Sequence, residues 1–229
     1  MRLPLINKGY RPSLEGKERT VTHNELNWIY TNDVANETDV QQSARALSLE
    51  HGVDPIDPAI GAQIAVVVAA TNAQQIAEIG TGFGVSGLWA LRGAPKATLT
   101  SIDEEYERHE AAKPLFAKAG YAASQVRLIT GKALEVLPRM NENSYDVVIV
   151  DGDPRQVVEN TEHALRLVRV GGTVLVPHAL WQGEVAEPAK RSAIPSGFRS
   201  IITEATESDA VISALSPAGD GLFQMTKLP

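Results

Sequence analysis

Residues Gln75 to Ser86 read Gln-Ile-Ala-Glu-Ile-Gly-Thr-Gly-Phe-Gly-Val-Ser, and this stretch decides the fold. An apolar run, Ile76 to Ile79, breaks into alternating glycines that begin at Gly80, and an apolar helical pattern starts at Val85. Glycines permit the φ angles of a tight turn and let a ligand approach the backbone closely. The stretch therefore predicts a strand, a turn and a helix, with free helix N–H groups facing a ligand.

Two acidic residues accompany this turn. Glu78 lies two residues before the first glycine, and Asp103 ends the next apolar strand, Ala97 to Ile102. A carboxylate at the end of that second strand can accept hydrogen bonds from ribose hydroxyls. Together with the glycine turn, the two acids predict a nucleoside-binding crevice.

The glycines alone do not identify the nucleoside, because residues Gly82 to Gly87 also fit the dinucleotide pattern G-x-G-x-x-G. A dinucleotide places its pyrophosphate at the helix N-terminus, where Glu78 would repel it. S-adenosylmethionine (SAM) carries a sulfonium and an amino group and no phosphate, so the acid favours SAM. An NAD-dependent oxidoreductase remains the alternative, although the chain shows no second domain and no Tyr-x-x-x-Lys pair.

The string from Glu78 to Ser86 resembles the first motif of class I SAM-dependent methyltransferases, and within them the catechol and caffeoyl-CoA O-methyltransferase group. The resemblance implies an α/β, Rossmann-like fold with a seven-stranded, mostly parallel sheet, helices on both faces and an antiparallel last strand. It also implies an enzyme that transfers a methyl group from SAM to a small hydroxylated acceptor, phenolic or similar, and a homodimer.

The same resemblance assigns cofactor contacts along the chain. The family places a small or acidic residue where Lys132 stands, next to the adenine. The implied cofactor-binding residues are Ile56, Glu78, Gly80, Thr81, Gly82, Gly84, Ser86, Asp103, Glu104, Ala133, Asp151 and Asp153.

The catalytic set departs from the family pattern. Members of the group use a divalent cation held by an acid after the fourth strand and by an Asp-Asn pair after the fifth, with a lysine assisting. Asp151 matches the first metal ligand, but Pro177 and His178 replace the pair and Pro154 replaces the lysine. Because proline cannot ligate a metal, a magnesium site is doubtful, and metal-independent transfer or a weak site completed by substrate is favoured.

His178 is then the candidate base, since an unperturbed imidazole titrates at about 6.5. Asp151 is expected to orient the acceptor hydroxyl or hold the cofactor. The other histidines, including His109, are predicted to be surface or internally satisfied residues. A second alternative follows from the missing metal pair, namely a SAM-binding scaffold without catalytic activity.

Composition excludes several other classes of protein. The 229 residues carry a formal net charge of −7, which argues against nucleic acid as a partner. There is no cysteine, so disulfides and zinc–thiolate sites are excluded. The longest apolar stretch, Ile60 to Ala70, is shorter than the roughly 20 residues needed to cross a bilayer, so no membrane association is expected. We expect a cytoplasmic protein with a small-molecule substrate.

The chain is predicted to divide into an N-terminal arm with covering helices (residues 1–57) and a Rossmann-like domain (residues 58–229). The first 22 residues form the arm, and a helix opens at Asp57-Pro58. A loop over residues 183–197 has the composition of a lid, with Trp181 at its entrance, and a helix is predicted from Phe198. Trp28 and Trp89 are expected to pack in the interior.

Overall fold

A computed structural model of the protein describes residues 22–229. Seven strands form one sheet in the order β3-β2-β1-β4-β5-β7-β6, and β7 runs antiparallel to both of its neighbours. This confirms the predicted seven-stranded, mostly parallel sheet with an antiparallel last strand. The strands are β1 (Gln75–Ile79), β2 (Thr98–Asp103), β3 (Val126–Thr130), β4 (Tyr145–Val150), β5 (Val168–Pro177), β6 (Val211–Ser216) and β7 (Leu222–Lys227).

Eight α-helices lie around the sheet in the described part of the chain. They are α1 (His23–Val34), α2 (Asp39–Glu50), α3 (Pro58–Ala70), α4 (Val85–Gly93), α5 (Tyr106–Lys118), α6 (Ala133–Val136), α7 (Val157–Leu167) and α8 (Ala193–Glu207). Short 3-10 turns occur at Leu137–Arg139, Pro154–Gln156 and Glu184–Ala186.

The core consists of two buried clusters, one on each face of the sheet. Successive side chains of a strand point to opposite faces, so Ile76 packs with α2 to α5 while Ala77 and Ile79 pack with α7 and α8. The central strands are apolar on both faces because helices cover both. Burial of both faces leaves the ends of the strands as the available place for a polar site.

The glycine turn lies where the order of the sheet reverses, between β1 and β4. Gly80 has φ +91°, and a Cβ added there would lie 2.1 Å from the carbonyl oxygen of Asp151, so only glycine fits this close approach. Gly84 also has φ +91° and caps α4. In doubly wound sheets this reversal opens a crevice at the carboxyl ends of the strands.

Three predicted boundaries are wrong. The sequence pattern predicts a helix from about Pro154 to Val168, but α7 begins at Val157, because Asp153 caps a separate 3-10 turn. A strand is predicted over Thr173 to Val176, but β5 begins at Val168 and continues through the glycine pair 171–172, beside a register shift in its pairing with β4.

The third wrong boundary shortens the predicted lid. Helix α8 begins at Ala193, not at Phe198, because its proline lies in the first turn, where the missing N–H costs no hydrogen bond. The remaining lid segment, residues 183–192, contains the 3-10 turn at Glu184–Ala186. Asp57 occupies the predicted N-cap position of α3, but its side chain makes no capping hydrogen bond.

The N-terminal helices share the core of the rest of the chain. Ala44 of α2 and Ile56 belong to the same buried cluster as β1 and α4, and the division at residue 57 stays a prediction. Residues 1–21 of the predicted arm lie outside the described part. Trp89 is buried as expected, whereas Trp28 is 48% exposed, so the packing prediction for Trp28 is wrong. Within residues 22–229, each helix is too short or too polar to span a bilayer.

Candidate active site

A cavity of about 630 Å³ lies at the carboxyl ends of β1, β2, β4 and β5. Its volume falls within the roughly 300–1,000 Å³ typical of small-molecule sites. One end is formed by Asp103 and Lys132, and the other by Asp151, His178 and Trp181. The cavity is therefore continuous from the predicted nucleoside position to the predicted catalytic residues.

At the first end, Asp103 holds the glycine turn in place. Its Oδ2 accepts a hydrogen bond from the backbone N–H of Gly82 at 2.9 Å, and its Oδ1 accepts one from Glu105 N–H at 3.0 Å. Arg108 forms an ion pair with Oδ1 at 3.3 Å. Oδ1 thus accepts from two donors, whereas Oδ2 keeps a second lone pair that can accept a hydrogen bond from a ligand hydroxyl.

Most of the predicted cofactor residues line this cavity. The lining members of the predicted set are Ile56, Gly80, Thr81, Gly82, Ser86, Asp103, Glu104, Ala133, Asp151 and Asp153. Gly84 lies behind the turn against Phe116, and Glu78 is 0% exposed beneath it. Direct cofactor contact by any of these residues stays a prediction.

At the second end, His178 lies between two carboxylates. Its Nε2 is 3.7 Å from Asp151 Oδ1, and its Nδ1 is 3.5 Å from Asp220 Oδ2. The imidazole is 16% exposed, and Asp54 lines the cavity nearby. The structure thus brings the two predicted catalytic residues together and adds two carboxylates that were not predicted.

These carboxylates control the ionisation of the pair. Burial lowers the pKa of His178, but Asp220 and Asp151 outweigh it and raise the pKa to about 9. Burial raises the pKa of Asp151 to about 6, although His178 opposes the shift. At neutral pH the pair is therefore an imidazolium facing a carboxylate. The assumption of an ordinary imidazole pKa does not hold for His178.

The backbone around His178 is strained and is fixed by the β6–β7 hairpin. His178, Trp181 and Gln182 have φ of 56°, 45° and 53°, a region that residues other than glycine rarely adopt. Asp220 Oδ1 accepts a hydrogen bond from Gln182 N–H at 2.6 Å, and the Asp220 carbonyl accepts one from Leu180 N–H. Strain of this kind persists only where neighbouring contacts enforce it.

Sequence reasoning missed Asp220. The residue lies in a hairpin loop 42 positions after His178, and no motif connects the two. Asp54 had a weak signal, because Asp54 and Asp57 flank the predicted cofactor residue Ile56. Only the docking of the hairpin on the end of β5 brings Asp220 to the site.

Asp153 and Trp181 have structural contacts of their own. Asp153 pairs with the guanidinium of Arg155, whose hydrogen bonds lower the pKa of Asp153, and it caps the 3-10 turn. Trp181 stacks on Phe198 with ring centroids 5.9 Å apart while also lining the cavity. Trp181 therefore forms a rigid wall at the predicted acceptor position.

The side chains at this end do not fit a magnesium site. Octahedral Mg²⁺ prefers oxygen ligands, whereas Asp151 faces an imidazolium that occupies the position of the expected Asp-Asn pair. Across residues 22–229, there is no group of three or more acidic, histidine or cysteine side chains arranged to hold a metal ion.

The chain belongs to a known family of enzymes. A family model described as O-methyltransferase matches residues 40–228, which is most of the chain. The sheet order, the glycine turn and the crevice are thus those of an O-methyltransferase.

Individual proteins support this membership. The chain is 37% identical to a protein of Mycobacterium sp. (strain JLS) named "Putative O-methyltransferase" over 216 residues, which is 94% of each chain. It is 38% identical to a protein of the same name from Mycobacterium marinum over 188 residues, 82% of this chain and 84% of the relative.

Solved structures resemble the fold as well. A Corynebacterium glutamicum protein has a TM-score of 0.80 and 28% identity, covering 89% of this chain and 97% of its own. The O-methyltransferase TomG from Streptomyces achromogenes, involved in tomaymycin synthesis and solved with SAM, has a TM-score of 0.77 and 25% identity. The match covers 89% of this chain and 96% of TomG.

Proposed function

We propose that the protein transfers the methyl group of SAM to the hydroxyl oxygen of a small acceptor, phenolic or similar, without a divalent metal. The observation that carries the proposal is the Asp151–His178 pair, which closes the cavity opposite the glycine turn. Family membership favours this reaction over the dinucleotide alternative.

The residues that line the cavity follow the order of the chemical groups in SAM. Asp103 at the end of β2 is placed for ribose hydroxyls, and the glycine turn is placed for the methionine portion. TomG, a protein of the same fold, was solved in complex with SAM, which supports SAM as the cofactor. Asp151, which lines the far end of the cavity, would then be available to the acceptor.

The proton of the acceptor needs a base, and the pKa values favour Asp151. A carboxylate with a pKa of about 6 is ionised at neutral pH and can accept a hydroxyl proton. His178, with a pKa of about 9, is protonated and stabilises the oxygen anion by donating a hydrogen bond. Bound SAM would supply the electrophilic methyl group, and transfer of that group to the acceptor oxygen would leave S-adenosylhomocysteine (SAH) as the second product.

His178 also supplies a positive charge where the resemblance to the catechol and caffeoyl-CoA group implies a cation. An imidazolium fixed between Asp151 and Asp220 performs the electrostatic part of that task without a metal. Asp151 matches the first metal-ligand position, but one carboxylate alone does not form a metal site.

The test is transfer of a labelled methyl group from SAM to a panel of catechols, other phenols and hydroxy acids, with added Mg²⁺ or EDTA. We expect turnover that EDTA changes by less than about twofold. A loss of activity in EDTA that Mg²⁺ restores would show a metal-dependent reaction. SAH binding without turnover on any acceptor would support the non-catalytic scaffold.

We also propose a homodimer, located in the cytoplasm. Four apolar side chains of α1 are about half exposed, namely Leu26, Trp28, Tyr30 and Val34. A second copy of the chain would remove this surface from water. Light scattering after gel filtration tests the dimer, and a Tyr30→Glu variant, in the row that Tyr30 forms with Leu26 and Val34 on one face of α1, should shift it toward the monomer.

A further inference from the structure

A chain of hydrogen-bonded polar side chains lies beneath the glycine turn, and four of its five members are buried, whereas Thr130 is exposed. Ser101 Oγ is 2.5 Å from Glu78 Oε2 and 2.7 Å from Thr81 Oγ1. Thr81 Oγ1 is in turn 2.9 Å from His109 Nε2, and His109 Nδ1 is 3.0 Å from Thr130 Oγ1. We call these five residues the relay. It links β1, β2, β3 and α5 to the turn.

Only one member of the relay reaches the ligand cavity. Thr81 belongs to the glycine turn and lines the cavity, whereas His109 is 1% exposed and lies one layer behind it. Burial lowers the pKa of His109, so its ring stays neutral and offers one donor and one acceptor. Both ring nitrogens have hydroxyl partners, so the ring orientation is fixed.

The charge of Glu78 sets the direction of these hydrogen bonds. A distance of 2.5 Å is typical of a hydroxyl donating to a carboxylate. If Ser101 donates to Glu78, then Thr81 donates to Ser101 and His109 Nε2–H donates to Thr81. Protonated Glu78 can donate to Ser101 instead and allow the reverse order.

We propose that His109 is a positioning residue for the cofactor: through Thr81 it fixes the glycine turn in its binding geometry, in a hydrogen-bond order set by the charge of Glu78. The inference rests on the proposed function, since SAM supplies the positive charge that favours ionised Glu78. His109 itself touches neither cofactor nor acceptor.

The groups around Glu78 make its pKa sensitive to a positive charge in the cavity. Burial raises the pKa of Glu78 to about 8, Ser101 and Ser86 lower it, and the Asp151 and Asp103 carboxylates raise it. Among residues 22–229 no group hydrogen-bonds its Oε1. A cation in the cavity counteracts the two neighbouring carboxylates, so cofactor binding should release a proton from Glu78.

The test is calorimetric titration of SAH into the full chain and its variants. His109→Leu removes the hydrogen bond to Thr81 and should raise the Kd of SAH about tenfold. His109→Gln keeps an N–H near the position of Nε2 and should stay within about twofold of wild type. In a Thr81→Val background, His109→Leu should have no further effect, because His109 acts through Thr81.

Two controls separate positioning from general stability. Leu128→Ala removes a core contact of β3 outside the relay and should lower the melting temperature without changing the Kd. Titrations of wild type with SAM, without acceptor, in buffers of different ionisation enthalpy should show proton release, because SAM carries the sulfonium that SAH lacks, and Glu78→Gln should abolish this release.

Additive effects of the Thr81 and His109 substitutions would overturn the proposal, as would an equal loss of affinity in Leu128→Ala. Tight SAM binding without proton release would refute the role of Glu78 and leave the proposed function intact. Absence of SAH binding by wild type would refute both.

Discussion

The two ends of the cavity are built in different ways. The cofactor end consists of the glycine turn and the end of β2, which are joined by the hydrogen bond from Gly82 N–H to Asp103. The acceptor end combines Asp151, His178 and Asp220, which come from three separate parts of the chain. The comparison shows why a cofactor is readable from a short motif, whereas the acceptor chemistry depends on distant segments meeting.

The largest effect is expected from a substitution that disrupts the cofactor end. Gly80→Ala places a methyl group against the Asp151 carbonyl, so we expect loss of measurable SAH binding and a loss of about 3 kcal/mol or more in unfolding free energy. Gly120→Ala is the matched control, because Gly120 has the same φ of +91° with open space around it. That control should cost about 1 kcal/mol and keep SAH binding. Equal behaviour of the two variants, by calorimetry and denaturant unfolding, would contradict the clash.

The second-largest effect is expected from a substitution that changes the acceptor end alone. Asp151→Asn removes the proposed base, so kcat should fall about 100-fold or more while the Kd of SAH changes less than about threefold. Asp153→Asn makes the same chemical change two residues away, at a carboxylate held by Arg155. It should leave kcat nearly unchanged. The measurements are kcat with an acceptor that the wild type methylates and the Kd of SAH. A similar loss of kcat in both variants would contradict a specific role for Asp151.

The pH dependence of activity tests how the carboxylates at the acceptor end control the charge of His178, and here the expected effect is smaller. Activity should rise as Asp151 ionises near pH 6 and fall as His178 loses its proton near pH 9. If His178 were the base, activity would instead rise through pH 9.

Asp220→Asn removes one of the carboxylates that raise the pKa of His178, so the alkaline limb should move down by about one unit. Activity at pH 8.5 should then fall about threefold, since fewer molecules carry the imidazolium. Asp209→Asn, at an exposed position before β6, serves as the control. An unchanged alkaline limb in Asp220→Asn, measured by pH profile and by NMR titration of His178, would show that Asp220 does not control this charge.

Regular secondary structure followed from local signals where they were unambiguous. The sequence patterns predict a helix over Pro58–Ala70 and strands over Val126–Thr130 and Tyr145–Val150. The bounds of α3, β3 and β4 are the same, because prolines, glycines and dense apolar runs mark their ends. Residues 193–197 were predicted as loop since they contain proline and glycine, yet packing of Phe198 and Ile201 against β4 and β5 extends α8 through them. Tertiary contacts overrode local propensity there.

The sequence by itself determined the glycine turn, Asp103 and the parallel sheet, because each depends on contacts between residues close in the chain or on strand periodicity. It also located Asp151 and His178, each directly after a strand. Only the tertiary structure decided their protonation states, since these depend on burial and on Asp220, which the β6–β7 hairpin delivers. The same holds for the relay, in which His109 meets Thr81 across 28 residues. Electrostatic energy depends on distance in space, and the order of residues along the chain does not fix that distance.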